Sequence, residues 1–259
     1  VSPAPFDGTV LKSAPPEDFN ARNFLPDTVK RLKGDPDATL SPETTRAMIA
    51  AYDECIQYVD DGLGRVFEAL KQRGLYDNTL IIITADHGEE FMEHGLIGHG
   101  ESLYDELIHV PLIVKFPCPG PHCAPRTVTS QVELVDIFPT VMDAIGVEPP
   151  DGLVGTKLSE PGPVSRVAYS ELAPRIALRT SDWKWVYDEK EDSGRLFNLG
   201  DDPGEINDLA SLEPAVRDLL STRLLDFSAT RKPGIVANGK AIVADETMLE
   251  NLKALGYVK

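Results

Sequence analysis

One short stretch of the chain, residues 79–100, constrains the fold and the chemistry more than any other. It opens with an apolar run at residues 80–83 and changes to polar residues at Asp86 and His87. A short β-branched run behind the turn residues Asp77 and Asn78 predicts a strand buried on both faces. In an open α/β sheet the reactive groups lie just beyond the carboxyl ends of the strands. Asp86 and His87 are predicted to lie there.

The chemistry of this pair favours a divalent cation. A carboxylate beside an imidazole offers one hard oxygen and one nitrogen donor, and Gly88 lets the backbone turn away tightly. The alternative is that Asp86 and His87 only cap the next element. Further carboxylates and imidazoles follow in the same stretch, namely Glu89, Glu90, Glu93, His94 and His99. This concentration favours metal binding, and we predict Asp86 and His87 as metal ligands.

Several segments resemble the C-terminal half of the sulfatase family, within the alkaline-phosphatase-like superfamily. They are residues 58–88, ending in TLIIITADHG, residues 85–117, ending in LIHVPLIVKFP, and the shorter segments ELVDIFPTVMDAIGV, LFNLGDDPGEINDLA and LKALGYV. They occur in the family's order and extend from about Ser41 to the end of the chain. The resemblance is specific for superfamily and fold, and much less so for substrate.

The predicted fold class is α/β, followed by an α+β part. We expect part of a large mixed or mostly parallel sheet flanked by helices, and then a smaller antiparallel sheet with a covering helix. Ser41 and Pro42 begin a long helix that Gly74 ends, and its apolar stripe is predicted to be core. A second buried strand is predicted at residues 110–116, and short helices at 27–32 and 247–255.

A linker rich in proline and glycine at residues 149–164 predicts a change of architecture. Short runs beyond it predict an antiparallel meander, followed by a helix at 212–227. We therefore predict two domains. Residues 1–155 form the C-terminal part of the α/β domain with the metal ligands, and residues 156–259 form a small subdomain of antiparallel sheet and helices.

Charge and cysteines limit the partners and the location. The net charge of −17 argues against nucleic acid, whose binding depends on Lys and Arg. No apolar run reaches the length of a membrane span. Cys118 and Cys123 could close a small disulfide, bind metal with His122, or remain free thiols. A disulfide would favour an exported protein, so a periplasmic or extracellular location is favoured over a cytoplasmic one.

The resemblance implies a metal-dependent sulfuric ester hydrolase that acts on a small-molecule or glycan sulfate ester. The family expectation for the cation is Ca²⁺, whereas the imidazole ligand of His87 favours Mn²⁺ or Zn²⁺. His99, between Gly98 and Gly100, is the candidate that protonates the leaving alcohol or contacts the ester oxygens. Relatives often carry a lysine in this loop.

The same resemblance raises the question of the nucleophile. In sulfatases it is a cysteine or serine in a Cys/Ser-x-Pro-x-Arg motif, oxidised to formylglycine, in the N-terminal half. That motif does not occur in this sequence. We therefore expect activity to require the missing N-terminal half or another chain. Alternatives are a phosphodiester or phosphonate-ester hydrolase, a phosphoethanolamine transferase, or a non-catalytic fragment that acts as a binding or scaffold module.

Overall fold

A computed structural model of the chain describes residues 40–120, 122–150, 152–160 and 166–230. The chain divides into two compact units, Val1–Ser221 and Thr222–Lys259. The helices predicted at 27–32 and 247–255 lie outside the described residues. The predicted domain division after residue 155 stays a prediction.

The long helix α1 spans Pro42–Gln72 and confirms the sequence-based prediction. The hydroxyl of Ser41 accepts a 3.1 Å hydrogen bond from the Thr44 amide, and Gly74 follows the helix with a positive φ of 67°. The predicted burial of its apolar stripe is only partly right. Met48 is buried and Leu63 and Leu70 are half-buried. Three other members of the stripe are 39–57% exposed, namely Tyr52, Val59 and Val66. Tyr52 meets the ring of Phe91 edge-on, with centroids 5.4 Å apart.

Strand β1, Ile81–Thr84, leads into the predicted site and pairs antiparallel with β4, Leu112–Lys115. The prediction that both strands are buried was wrong, because β1 is half-buried and Ile113 of β4 is 60% exposed. The physical reason is that, among the described residues, these two strands form a sheet by themselves.

The chain between β1 and β4 contains a hairpin that the sequence did not predict. Strand β2, Glu90–Phe91, pairs with β3, Ile97–Gly98, and helix α2 follows at Asp105–Ile108. A 3₁₀ turn at Leu134–Asp136 leads into helix α3, Ile137–Ala144.

The C-terminal sheet confirms the predicted antiparallel meander. Its strands are β5, Ala168–Leu172, β6, Arg175–Arg179, β7, Trp183–Asp188, and β8, Ser193–Asn198, in that order. The core of the sheet is apolar and includes Ile176, Leu178, Trp185, Leu196 and Phe197. Helices together with this four-stranded antiparallel sheet confirm the predicted fold class.

Helix α4, Pro214–Thr230, follows the meander and crosses the boundary between the two compact units. It confirms the helix predicted at residues 212–227. None of the helices in the described part of the chain is long and apolar enough to cross a bilayer.

A buried ion network joins the C-terminal sheet to helix α2. The ammonium of Lys184 is fully buried and lies 2.8 Å from Asp105 Oδ1 and 2.8 Å from Glu205 Oε1. Arg179 also binds Asp105, at 2.9 Å, and the Asp105 amide donates to Glu205. Burial alone would raise the pKa of Asp105, but the bonds from Arg179 and Lys184 outweigh it and hold that pKa below its usual value.

We expect Lys184→Met to lower the free energy of unfolding by about 3–5 kcal/mol, because it leaves two buried carboxylates without their shared cation. Lys190→Met is the matched control, since the Lys190 side chain is 76% exposed and its loss should change stability by less than about 0.5 kcal/mol. Urea unfolding followed by circular dichroism measures both. Equal effects of the two substitutions would contradict a structural role for the buried ammonium.

A second network joins the 3₁₀ turn to the start of the meander. Asp136 is fully buried and accepts hydrogen bonds from the Thr156 amide, at 2.7 Å, and from Arg166. Arg166 also pairs with Glu133, whose carboxylate accepts from the Tyr169 amide. Burial acts to raise the pKa of Asp136, but Arg166 and the backbone amides lower it below its usual value.

This network should make stability depend on pH in the acid range. Because the pKa of Asp136 is lower in the folded than in the unfolded state, its contribution is complete above about pH 4 and is lost as the pH falls. We expect Asp136→Asn to cost roughly 2–4 kcal/mol at neutral pH and progressively less below about pH 4. Urea unfolding across this range, with the exposed Asp182→Asn as control, tests it. A difference that does not change with pH would be evidence against the pairing.

Candidate functional site

Asp86 and His87 lie immediately beyond the carboxyl end of β1, as the sequence predicts for them. The His87 amide donates a 3.0 Å hydrogen bond to Asp86 Oδ1. The other carboxylate oxygen, Oδ2, lies 3.9 Å from His87 Nε2. Ligand atoms in protein cation sites lie about 2.0–2.6 Å from the ion, so two donors at this separation can share one ion.

The ring of His87 is held in the orientation that a metal ligand requires. Its Nδ1 lies 2.7 Å from the carbonyl oxygen of Gly88. Because a carbonyl oxygen can only accept, Nδ1 carries the proton and Nε2 carries the lone pair. Metal-ligating histidines characteristically donate their other ring N–H to a carbonyl or a carboxylate. The donor set of Asp86 and His87 therefore fits a divalent cation.

Gly88 fixes the position of this pair by its close approach to helix α2. Its amide donates a 2.8 Å hydrogen bond to the carbonyl of Leu107. A Cβ atom at residue 88 would lie 1.8 Å from the carbonyl oxygen of Glu106, a distance that no side chain can occupy. Only glycine allows the loop after β1 to pack against the backbone of α2.

His99 lies beside His87, with the two ring centroids 4.1 Å apart. The hairpin β2–β3 brings it there, and Gly98 and Gly100 on either side both have positive φ. The structure thus places His87 beside each of the other two residues that the sequence singled out, Asp86 and His99. The role of each stays a prediction.

Glu89 is a member of this cluster that sequence reasoning noted only as one of several loop carboxylates. Its Oε2 lies 3.0 Å from His99 Nδ1. One donor atom from each of His87, Glu89 and His99 lies within 4.8 Å of the other two, a spacing that can hold a metal ion. The sequence feature that could have indicated this contact is the turn around Gly95. A hairpin centred on that turn pairs residue 89 with residue 99.

The floor of the loop is buried and polar. Ser102 donates a 2.9 Å hydrogen bond to Glu90, and burial raises the pKa of the Glu90 carboxyl. His94 is buried and stacks on Tyr104 with centroids 3.5 Å apart. His109 is largely exposed at the end of α2. These contacts give Glu90 and His94 a role in shaping the loop.

A cavity of about 320 Å³ lies on the side of the loop that faces strand β8. Its lining is mixed acidic and aromatic and consists of Glu93, His94, Tyr104, Arg195, Phe197, Glu205, Ile206 and Asp208. Asp86, His87 and His99 do not line it, so it is separate from the candidate cation site.

Cys118 and Cys123 form a disulfide, which decides among the alternatives that the sequence left open. The bond removes both thiols as metal ligands. Cys55, on α1, is half-buried and takes no part in this disulfide.

Comparisons with known proteins agree on one family. The sequence profile described as "Sulfatase" matches residues 12–147. Arylsulfatase K from Bos taurus is 33% identical over 194 residues, which are 67% of this chain and 35% of that protein. Choline-sulfatase from Rhizobium meliloti is 31% identical over 183 residues, 66% of this chain and 35% of that protein. The chain thus spans about a third of the length of these relatives.

A solved structure supports the same relationship. The phosphonate monoester hydrolase of Agrobacterium radiobacter is 30% identical, with a TM-score of 0.64 over 73% of this chain and 42% of that one. The similarity in sequence and fold therefore extends to an enzyme whose name specifies a different ester.

Removal of the Asp86 carboxylate should weaken cation binding at least tenfold, because it removes one of the two predicted protein ligands. Calorimetric titrations of the wild type and Asp86→Ala with Ca²⁺, Mn²⁺ and Zn²⁺ measure this directly. His109→Ala serves as the control, since that exposed imidazole lies outside the cluster. Unchanged affinity in Asp86→Ala would show that the ions bind elsewhere.

Proposed function

Because the chain belongs to the sulfatase family, we propose that it carries the cation-binding part of a metal-dependent sulfuric ester hydrolase. One observation carries the proposal: Asp86 and His87 present an oxygen and a nitrogen donor 3.9 Å apart, beyond the end of β1 and beside the ring of His99. Cation ligands next to a second imidazole suit the cleavage of an anionic ester.

Asp86 and His87 would hold the divalent cation. When bound, such an ion supplies Lewis acidity and offsets the negative charge of the ester. Ca²⁺ is the expectation for a sulfatase-type site, whereas the nitrogen donor of His87 favours Mn²⁺ or Zn²⁺. The chain itself is strongly acidic, with a net charge of −17, so an anionic substrate requires a local positive charge of this kind.

His99 would act on the leaving group or on the ester oxygens. Its Nδ1 faces Glu89, which leaves Nε2 as the ring atom that can meet a substrate. When both ring nitrogens carry protons, the imidazolium can donate its Nε2 proton to the departing alcohol oxygen as the bond between that oxygen and sulfur breaks. The small side-chain volume at Gly98 and Gly100 lets an ester approach the ring.

We propose that activity requires a nucleophile supplied outside this sequence, by the N-terminal half of the enzyme or by another chain. No Cys/Ser-x-Pro-x-Arg motif occurs in the 259 residues. The exposed side chains of Val59 and Val66 on α1 support this proposal, because several large apolar side chains exposed along one helix are typical of a face that another polypeptide covers. The matched stretch is only 35% of the length of arylsulfatase K from Bos taurus, which leaves room for such a polypeptide.

The substrate would be a small-molecule or glycan sulfate ester. The disulfide between Cys118 and Cys123 supports an exported location, because such bonds persist in oxidising compartments. A second candidate activity is phosphonate or phosphodiester hydrolysis, which the 30% identity to a phosphonate monoester hydrolase favours.

Initial rates on an aryl sulfate and on an aryl phosphodiester separate the two activities. The sample is the native protein with any polypeptide that accompanies it, identified by intact mass. We expect faster cleavage of the sulfate, and a loss of about a hundredfold in kcat in His99→Ala. His109→Ala should retain full activity.

Three results would change the conclusion. A strong preference for the phosphodiester favours the second candidate. Full activity in His99→Ala removes that residue from the reaction. Binding of cations without hydrolysis of either ester favours the non-catalytic scaffold.

A further inference from the structure

Glu89 and His99 are opposite members of one hairpin. The register of β2 and β3 pairs Glu90 with Gly98 and Phe91 with Ile97. One step beyond the first of these pairs, the same register places Glu89 opposite His99. Directly opposite residues of an antiparallel pair have Cβ atoms about 4.5–5.5 Å apart on one face. The meeting of these two side chains therefore follows from the pairing of the backbone.

The contact fixes which nitrogen of His99 carries a proton. Glu89 Oε2 lies 3.0 Å from His99 Nδ1, and an ionised carboxylate can only accept a hydrogen bond. Nδ1 must therefore be the donor, and Nε2 is the atom that faces away from Glu89. The Glu89 side chain is only 13% exposed, so water competes weakly for this bond.

The neighbouring ring repeats the same arrangement. His87 also has an oxygen acceptor at Nδ1, the carbonyl of Gly88 at 2.7 Å. The two rings lie 4.1 Å apart, tilted by 33°. Both imidazoles are thus fixed through Nδ1 by oxygen acceptors, and both keep Nε2 for another partner.

We propose that Glu89 is a positioning residue of the reaction, which holds the ring of His99 so that its Nε2 meets the ester beside the cation ligand His87. This inference rests on the proposed role of His99. Carboxylates that orient a functional imidazole are a recurrent device, and their removal typically costs about 10–100-fold in activity or affinity. Glu89 would act through the ring of His99 and not on the ester itself.

The alternative is a purely structural role, in which Glu89 only stabilises the folded hairpin β2–β3. The two roles differ in what they require of the side chain. The structural role requires only that the hairpin stays folded, whereas the positioning role requires a hydrogen-bond acceptor at Nδ1 of His99. Glu89→Gln keeps an acceptor oxygen at the same distance from the backbone, and Glu89→Leu removes it at similar volume. Glu93→Gln is the matched control, because Glu93 accepts from the Phe91 amide in the same hairpin.

Nitrogen NMR of histidine-labelled protein, recorded on this chain as the pH is raised, shows which ring nitrogen carries the proton in the neutral imidazoles. We expect His99 to carry its proton on Nδ1 in the wild type, in Glu89→Gln and in Glu93→Gln. In Glu89→Leu the proton should redistribute between Nδ1 and Nε2. His87 is the internal reference, since its bond to Gly88 persists while the loop stays folded. An unchanged His99 in Glu89→Leu, or a mixed population in the wild type, would overturn the proposal.

Kinetics of the complete enzyme provide the second readout. Glu89→Leu should lower kcat about 10–100-fold with little change in KM, and Glu89→Gln should restore most of the loss. The double variant Glu89→Leu/His99→Ala should be no worse than His99→Ala alone, because both act through one ring. Equal losses in the Gln and Leu variants would overturn the positioning role. If the wild type cleaves no sulfate ester, the proposed function fails, while the NMR result still decides whether Glu89 orients His99.

Discussion

The amide of Gly88 donates to the carbonyl of Leu107 across 2.8 Å, and the position of the candidate site depends on this contact. It binds the loop after β1 to the backbone of α2 at a distance that excludes any Cβ atom. Asp86 and His87 are thereby presented from a fixed backbone instead of a free loop. Sites held in this way lose less conformational entropy when they bind an ion.

Helix α2 is only four residues long and would be marginal by itself, so its own support comes from the C-terminal sheet. Lys184 of β7 and Arg179 of β6 both bind Asp105 at the first turn of α2. The buried ammonium and carboxylates are neutralised within this network, which reduces the cost of their desolvation. The meander therefore supports the predicted cation ligands indirectly, through α2, although neither of these ligands lies in it.

The carboxylates of the loop after β1 differ in exposure and in hydrogen bonding. Asp86 is 72% exposed and available to an ion, whereas Glu89 and Glu90 are nearly buried and bonded to His99 and Ser102. These carboxylates lie close together in the sequence, but their surroundings differ. Asp86 is a candidate cation ligand, Glu89 is proposed to orient His99, and Glu90 supports the loop. Burial and hydrogen-bond partners, not residue type, make that division.

Some features could be predicted from the sequence because they depend on local patterns. Helix α1 follows from its capping residues and apolar spacing, the meander from short runs between turns, and the place of Asp86 and His87 from the end of an apolar strand. The cysteine spacing allowed a disulfide without deciding it. The tertiary structure decided the antiparallel pairing of β1 with β4, the exposure of the α1 stripe and the contact between Glu89 and His99. These features depend on strand register and on which layers cover a surface. Contacts between residues distant in the chain determine both, and local periodicity in the sequence carries no information about such contacts.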